Sequence, residues 1–176
     1  MSVLLKKSYW LFLLKSTNEH GVHSPFVYNL VTRCFYKPIK TSPLPKNTIK
    51  NTPKQLKSKH ILLLDRIICY FKINKIAGDF KNNHPITHLI KHQKKIDTTS
   101  SSNADLIFIS KNTHIARQID ELQPNALAII ELPHENKKKW NAIKTHKNAH
   151  VVIDTYFFGF IFNRNQQAKE EFFIRL

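Results

Sequence analysis

The chain has 10 histidines, and two groups of them have spacings worth weighing. His84, His88 and His92 fall at i, i+4 and i+8, so a helix through them would carry all three on one face. Two histidines so spaced can chelate zinc, which takes imidazole nitrogen in a tetrahedral set. Neither a cysteine nor a carboxylate nearby completes the set, so solvent-facing histidines are expected and no metal site. His20 and His23 with Ser24 could form a catalytic cluster. The same residues also spell a connection between two helices, because Ser24 is a good N-cap and Pro25 suits the first helical position, where its missing N–H would have had no partner. The connection is the favoured reading. Cys34 and Cys69 each sit in an apolar helical pattern with no partner at metal spacing, which predicts two buried free thiols.

The elements that must position these residues are clearest at the C-terminal end, Ala149 to Leu176. Val151 to Phe157 is β-branched and aromatic, Gly159 is read as a break, and Phe160 to Asn163 runs back, which predicts a hairpin. Strands this apolar are normally buried on both faces and need helices above and below. The rest of the chain supplies them. Helices are expected over Leu4 to Lys15, from Pro25 onward, from Pro53 to about Lys72, from His84–Pro85 onward, over Asn112 to Leu122 and over Glu135 to Thr145. Buried strands are expected at Ile73 to Ala77, Leu106 to Ser110 and Ala126 to Leu132. Strands alternating with helices imply an α/β fold, a parallel sheet with right-handed crossovers and an antiparallel edge made by the closing hairpin.

The chain has 176 residues, 41% of them hydrophobic, which suits one globular domain with a real core. Its formal net charge is +16, from 28 Lys+Arg against 12 Asp+Glu, a balance that ordinarily points to a polyanion. The excess is nearly all lysine and comes with abundant Asn and Ile, as an AT-biased coding sequence would also give. Between Lys37 and His60 four prolines alternate with seven lysines and no acid, the composition of a linker. A nucleic-acid-binding module would use this stretch, but no aromatic stands there for base stacking. Lys6 and Lys7 interrupt the first apolar run and no small-residue cleavage site follows, which argues against a signal peptide. No apolar stretch approaches the length of a bilayer span, so a soluble cytoplasmic protein is expected.

Three stretches, HGVHSPFVYNLVTRCFY near the start, ADLIFIS in the middle and VVIDTYFFGFIFNRNQQAKEEFFIRL at the end, resemble in that order a family of bacterial class I SAM-dependent methyltransferases. The resemblance implies a Rossmann-like sheet preceded by N-terminal helices. It divides the chain into a helical segment at 1–36, a basic Pro-rich linker at 37–52 and a truncated methyltransferase domain at 53–176. In that family a glycine-rich loop after the first strand lets backbone N–H groups approach the cofactor; here the matching stretch is NKIAGDFKNNH, with Gly78 alone. The family also places an acid at the end of the second strand, where a carboxylate accepts the ribose hydroxyls. Between Ile96 and Ala104 only a polar connector is expected, so no residue can be nominated for that role.

A class I sheet has the strand order 3-2-1-4-5-7-6, and loss of strands two and three leaves about 1-4-5-7-6, with the first strand as an exposed edge. Where the family has an acidic pair after its fifth strand, this chain has Glu131, Leu132, Pro133 and His134. The expectation is therefore a degenerate, methyltransferase-derived protein that has lost ordinary SAM binding and works through an interface, as a homodimer or with a protein partner at the exposed sheet edge. The alternative is an active SAM-dependent methyltransferase with a rebuilt pocket. Gly78, Asp79 and Ser110 would then line the cofactor and His134 would be the available general base.

Overall fold

The computed structural model describes residues 3–36, 54–78, 84–92, 96–110 and 116–176. Its helices are α1 (Val3–Lys15), α2 (Pro25–Leu30), α3 (Ser58–Tyr70), α4 (Pro85–His92), α5 (Ala116–Asp120) and α6 (Lys137–Thr145). Its strands are β1 (Lys75–Gly78), β2 (Asp97–Thr98), β3 (Leu106–Ile109), β4 (Leu127–Glu131), β5 (Val151–Asp154), β6 (Phe158–Phe162) and β7 (Glu170–Phe173). They form one sheet in the order β2-β1-β3-β4-β6-β5-β7. β2, β1, β3 and β4 pair in parallel, β6 runs antiparallel to β4 and β5, and β7 is parallel to β5.

Every residue of β3, β4 and β6 is buried. Side chains alternate across a strand, so each strand feeds two cores. Leu106, Phe108, Leu127, Ile129, Val151, Ile153, Phe160 and Phe162 join one layer, with Leu30 of α2, Ile61, Leu64 and Ile68 of α3, and Ile86 and Leu89 of α4. Ile107, Ile109, Ala128, Ile130, Val152 and Ile161 join the other, with Ile119 of α5 and with Trp140 and Ile143 of α6. The result is a mixed α/β protein in which helices cover both faces of the sheet, as the uninterrupted apolar strands require.

The strand order differs from the five-strand expectation. Asp97 and Thr98, expected in a polar connector, form a two-residue strand in register with Lys75 and Ile76. Backbone bonds from Asp97 N–H to Asn74 O and from Thr99 N–H to Ile76 O, at 2.8 and 3.0 Å, hold it there. β1 is therefore not the exposed edge proposed as a partner surface. At the opposite side β7 adds a further strand outside β5.

The closing hairpin also differs in detail. Its turn is at Thr155 to Phe157, with Tyr156 at φ 71°, and Gly159 lies inside β6. A Cβ at Gly159 would come within 2.5 Å of Trp140 Cη2, so this glycine serves close packing and not a break in the chain. α3 starts at Ser58, while Pro53, expected to open it, lies outside the described residues. Cys34 is buried and its thiol is pushed up to about 12 by desolvation, but Cys69 is exposed.

Ser24 and Pro25 sit at the N-cap and first turn of α2, as expected, although the Ser24 side chain makes no cap bond. Its Oγ lies 3.3 Å from Gln167 Nε2, from which it accepts. His20 and His23 are exposed. α1 is tied to the sheet by Thr17, whose N–H donates to Phe173 O at 2.8 Å and whose carbonyl accepts from Arg175 N–H at 3.1 Å. No helix among the described residues is long and apolar enough to cross a membrane.

The contact at Gly159 makes a quantitative expectation. Gly159→Ala should destabilise the protein by about 1–3 kcal/mol, the usual cost of forcing an extra methyl into a packed site. In a Trp140→Leu background, which frees the space, the same substitution should cost much less. A double-mutant cycle in urea would read the difference, and equal costs in both backgrounds would exclude the steric account.

Candidate functional site

β1, β3, β4 and β5 all point the same way, so Gly78, Ser110, Glu131–His134 and Asp154–Tyr156 gather at one end of the sheet. The chain progresses outward from β1 to β2 on one side and from β3 to β4 on the other, a switch point of the kind where open α/β sheets bind ligands beyond the strands' carboxyl ends. Gly78 and Ser110 flank that point. Gly78 is exposed and pairs with Phe108, two residues before Ser110. Asp79 lies outside the described residues. The Ser110 carbonyl is 3.5 Å from Lys139 Nζ, whose pKa is lowered by desolvation.

β2 brings no carboxylate to this end. Its one acid, Asp97, is at the start of the strand opposite Lys75, and the strand closes on Thr98. Glu131, at the end of β4, is 3% exposed and already engaged: its Oε1 is 3.1 Å from His84 Nε2. His84 Nδ1 accepts from the Ile86 N–H at 3.3 Å, so the Nε2 proton faces the carboxylate. His84 thus precedes α4 and is largely buried, not solvent-facing. Among the described residues no group of three His, Cys, Asp or Glu could hold a metal ion.

His134 is placed elsewhere. The chain leaves β4 through Leu132, at φ 49°, whose N–H donates to Phe157 O at 2.9 Å, and enters a short turn at Pro133–Glu135. There the His134 ring stacks on Tyr156, with centroids 3.9 Å apart and planes 10° from parallel. Its Nδ1–H donates to the Tyr156 carbonyl at 2.7 Å. Since a carbonyl can only accept, the neutral ring carries its proton on Nδ1 and a lone pair on Nε2. Burial pushes the His134 pKa down, partly offset by that backbone bond.

Tyr156 is held by the turn after β5. Asp154 Oδ1 accepts the Tyr156 N–H at 2.7 Å and Oδ2 accepts Trp140 Nε1–H at 2.9 Å. Thr155 closes the turn, its Oγ donating to Phe158 O at 2.8 Å. The Tyr156 hydroxyl lies 2.8 Å from Ser8 Oγ on α1. Desolvation raises the Asp154 pKa while the two donated bonds and Lys144 lower it.

A cavity of about 420 Å³ opens beside these rings, lined by Tyr9, His134, Tyr156 and Phe157 and by Lys54, Gln55, Lys57, Lys59 and His60. His60 was not singled out from the sequence, where it closes the basic stretch. Its residue is 1% exposed and its ring stacks on Phe157 at 4.2 Å. Its Nδ1 accepts the Lys57 N–H at 2.9 Å, reaching back over the first turn of α3, so the neutral ring carries its proton on Nε2. Desolvation, with Lys59 and Lys57 adding to it, pushes His60 down to about 4. With the helix expected to open at Pro53, nothing in the sequence marked His60 as the third helical position, where a side chain can cap backwards. Of the nominated residues, then, Gly78 and Ser110 share the β1–β3 end, whereas His134 belongs to a separate cavity with His60, Tyr156 and Phe157.

The His60 pKa fixes a pH dependence. A histidine that is neutral in the folded state down to about pH 4 but protonates near pH 6.5 when unfolded costs stability as pH falls through that window. Thermal stability should therefore drop between pH 6.5 and 4. His60→Gln, which keeps an acceptor for the Lys57 N–H, should flatten that drop, as read by melting temperature across the range. An unchanged slope would remove His60 from the account.

No family model, no curated protein and no solved structure matches this chain, so its function is argued from its own geometry.

Proposed function

We propose that this chain is a class I SAM-dependent methyltransferase-like protein that keeps the scaffold and has lost the ordinary cofactor site. The resemblance of its two ends and middle to that family motivates the reading, and the parallel strands with a switch point between β1 and β3 are compatible with it. The observation that carries the loss of the site is β2. It is two residues long, its acid stands at the wrong end, and Thr98 ends the strand where a ribose-binding carboxylate would be needed. The neighbouring polar groups are committed to the protein itself: Glu131 to His84, and the Ser110 carbonyl to Lys139.

One observation favours the alternative, an active SAM-dependent methyltransferase with a rebuilt pocket. Burial lowers the His134 pKa, which favours the neutral ring, and among the described residues its Nε2 lone pair has no hydrogen-bond partner and is left to accept a proton. In that reading Gly78, Asp79 and Ser110 line SAM. The nucleic-acid alternative rests on Lys37 to His60; positions 37–53 lie outside the described residues, and nothing described favours it.

Calorimetric titration with SAM and with S-adenosylhomocysteine separates the first two readings. The lost site predicts no binding tighter than about 1 mM. Micromolar binding that is abolished by substituting Gly78 and Asp79 would instead establish the rebuilt pocket.

A further inference from the structure

The cavity at His60 and His134 is lined by flat rings and cationic at its rim. We propose that it binds a small aromatic hydroxy acid, a planar ring bearing a phenolic hydroxyl and a carboxylate. The reading does not depend on whether SAM binds at the β1–β3 end of the sheet.

Three observations carry it. The first is shape: at about 420 Å³, with Tyr9, Tyr156, Phe157 and the two imidazoles as walls, the space suits a single flat ring system. The second is an unmet pair of hydrogen bonds. His60 Nε2 and His134 Nε2 are both buried, and among the described residues neither has a partner. Leaving a buried polar group unpaired is costly, so two on residues that line one cavity call for an explanation.

Their senses are opposite. His60 must offer an N–H from Nε2, because its Nδ1 already accepts from Lys57; His134 must offer a lone pair, because its Nδ1 already donates to Tyr156. A hydroxyl is the simplest group that accepts from one and donates to the other. The nitrogens are shielded from water, so entry of that hydroxyl requires the rings to part slightly. A phenolic ring stacked against Tyr156 and Phe157 can bring it there.

The third observation is charge. The lining includes Lys54, Lys57 and Lys59 and, among the described residues, no acidic one. All three lysines are exposed, which places them at the mouth. Glu135, close by, is drawn aside by Gln55, whose Nε2 donates to its carboxylate at 3.1 Å. A ligand with its hydroxyl inside would present its far end to these cations, where an anion is favoured.

The test is calorimetric titration of the full chain with 4-hydroxybenzoate, with benzoate, 4-methoxybenzoate and phenol as controls. 4-Hydroxybenzoate should bind at least about tenfold tighter than benzoate, which lacks the hydroxyl, and than 4-methoxybenzoate, which can accept but not donate. Phenol, lacking the anion, should also bind more weakly. Lys54→Ala with Lys57→Ala, a surface change, should weaken 4-hydroxybenzoate several-fold at low salt while keeping the preference for the hydroxyl. His60→Phe and His134→Phe should each abolish that preference. Should those two variants fail to fold, imidazole nitrogen shifts in the unaltered protein serve instead: 4-hydroxybenzoate must move the Nε2 signals of His60 and His134 and leave those of His20 and His146. Absence of binding, equal binding of hydroxylated and unhydroxylated probes, or unmoved His60 and His134 signals would overturn the proposal.

Discussion

The Asp154 carboxylate holds two elements of this protein in register, and much of the functional end of the molecule depends on it. One oxygen fixes the Tyr156 backbone in its left-handed turn, and the other fixes the Trp140 indole on α6. A buried carboxylate is costly when charged unless donors meet it, and here the Tyr156 N–H and the Trp140 Nε1–H do. From Tyr156 the constraint passes to His134, which both stacks on its ring and bonds its carbonyl, and to Ser8 of α1 through its hydroxyl. From Trp140 it passes to Gly159, whose missing side chain leaves room for the indole against β6.

That clamp operates inside a sheet whose two faces are equally committed. Phe158, Phe160 and Phe162 present their rings to the layer of α2, α3 and α4, while Gly159 and Ile161 of the same strand face α5 and α6. A sheet covered on both sides exposes function only at its ends and edges, which is why the polar chemistry collects at the strands' carboxyl ends. There the protein contains two distinct arrangements. One is the switch point between β1 and β3, where β2 is only two residues long and the acidic Glu131 is turned to His84. The other is the aromatic cavity, where two imidazoles kept neutral by burial present one donor and one acceptor. The first receives no carboxylate from β2. The second has hydrogen-bonding capacity that no described residue meets.

The sequence by itself determined the α/β class, the buried strands at Leu106, Leu127 and Val151, the hairpin after them, and the cap at Ser24–Pro25. These are local matters, in which β-branched and aromatic runs, periodicity and cap chemistry act within a few residues. It failed where the deciding contact was distant. Gly159 looks like a turn in a one-dimensional reading, and only Trp140, reached through the packing of α6, explains it. Asp97 and Thr98 have the composition of a connector, and their pairing with β1 is decided by backbone bonds that carry no sequence signature. His134 was legible as a candidate base but not as sharing a cavity with His60, 74 positions away in the chain. What tertiary structure alone decided is which nitrogen of each histidine is used and which is left over, because that depends on the Lys57 amide and the Tyr156 carbonyl arriving at Nδ1 in each case, one donating and the other accepting.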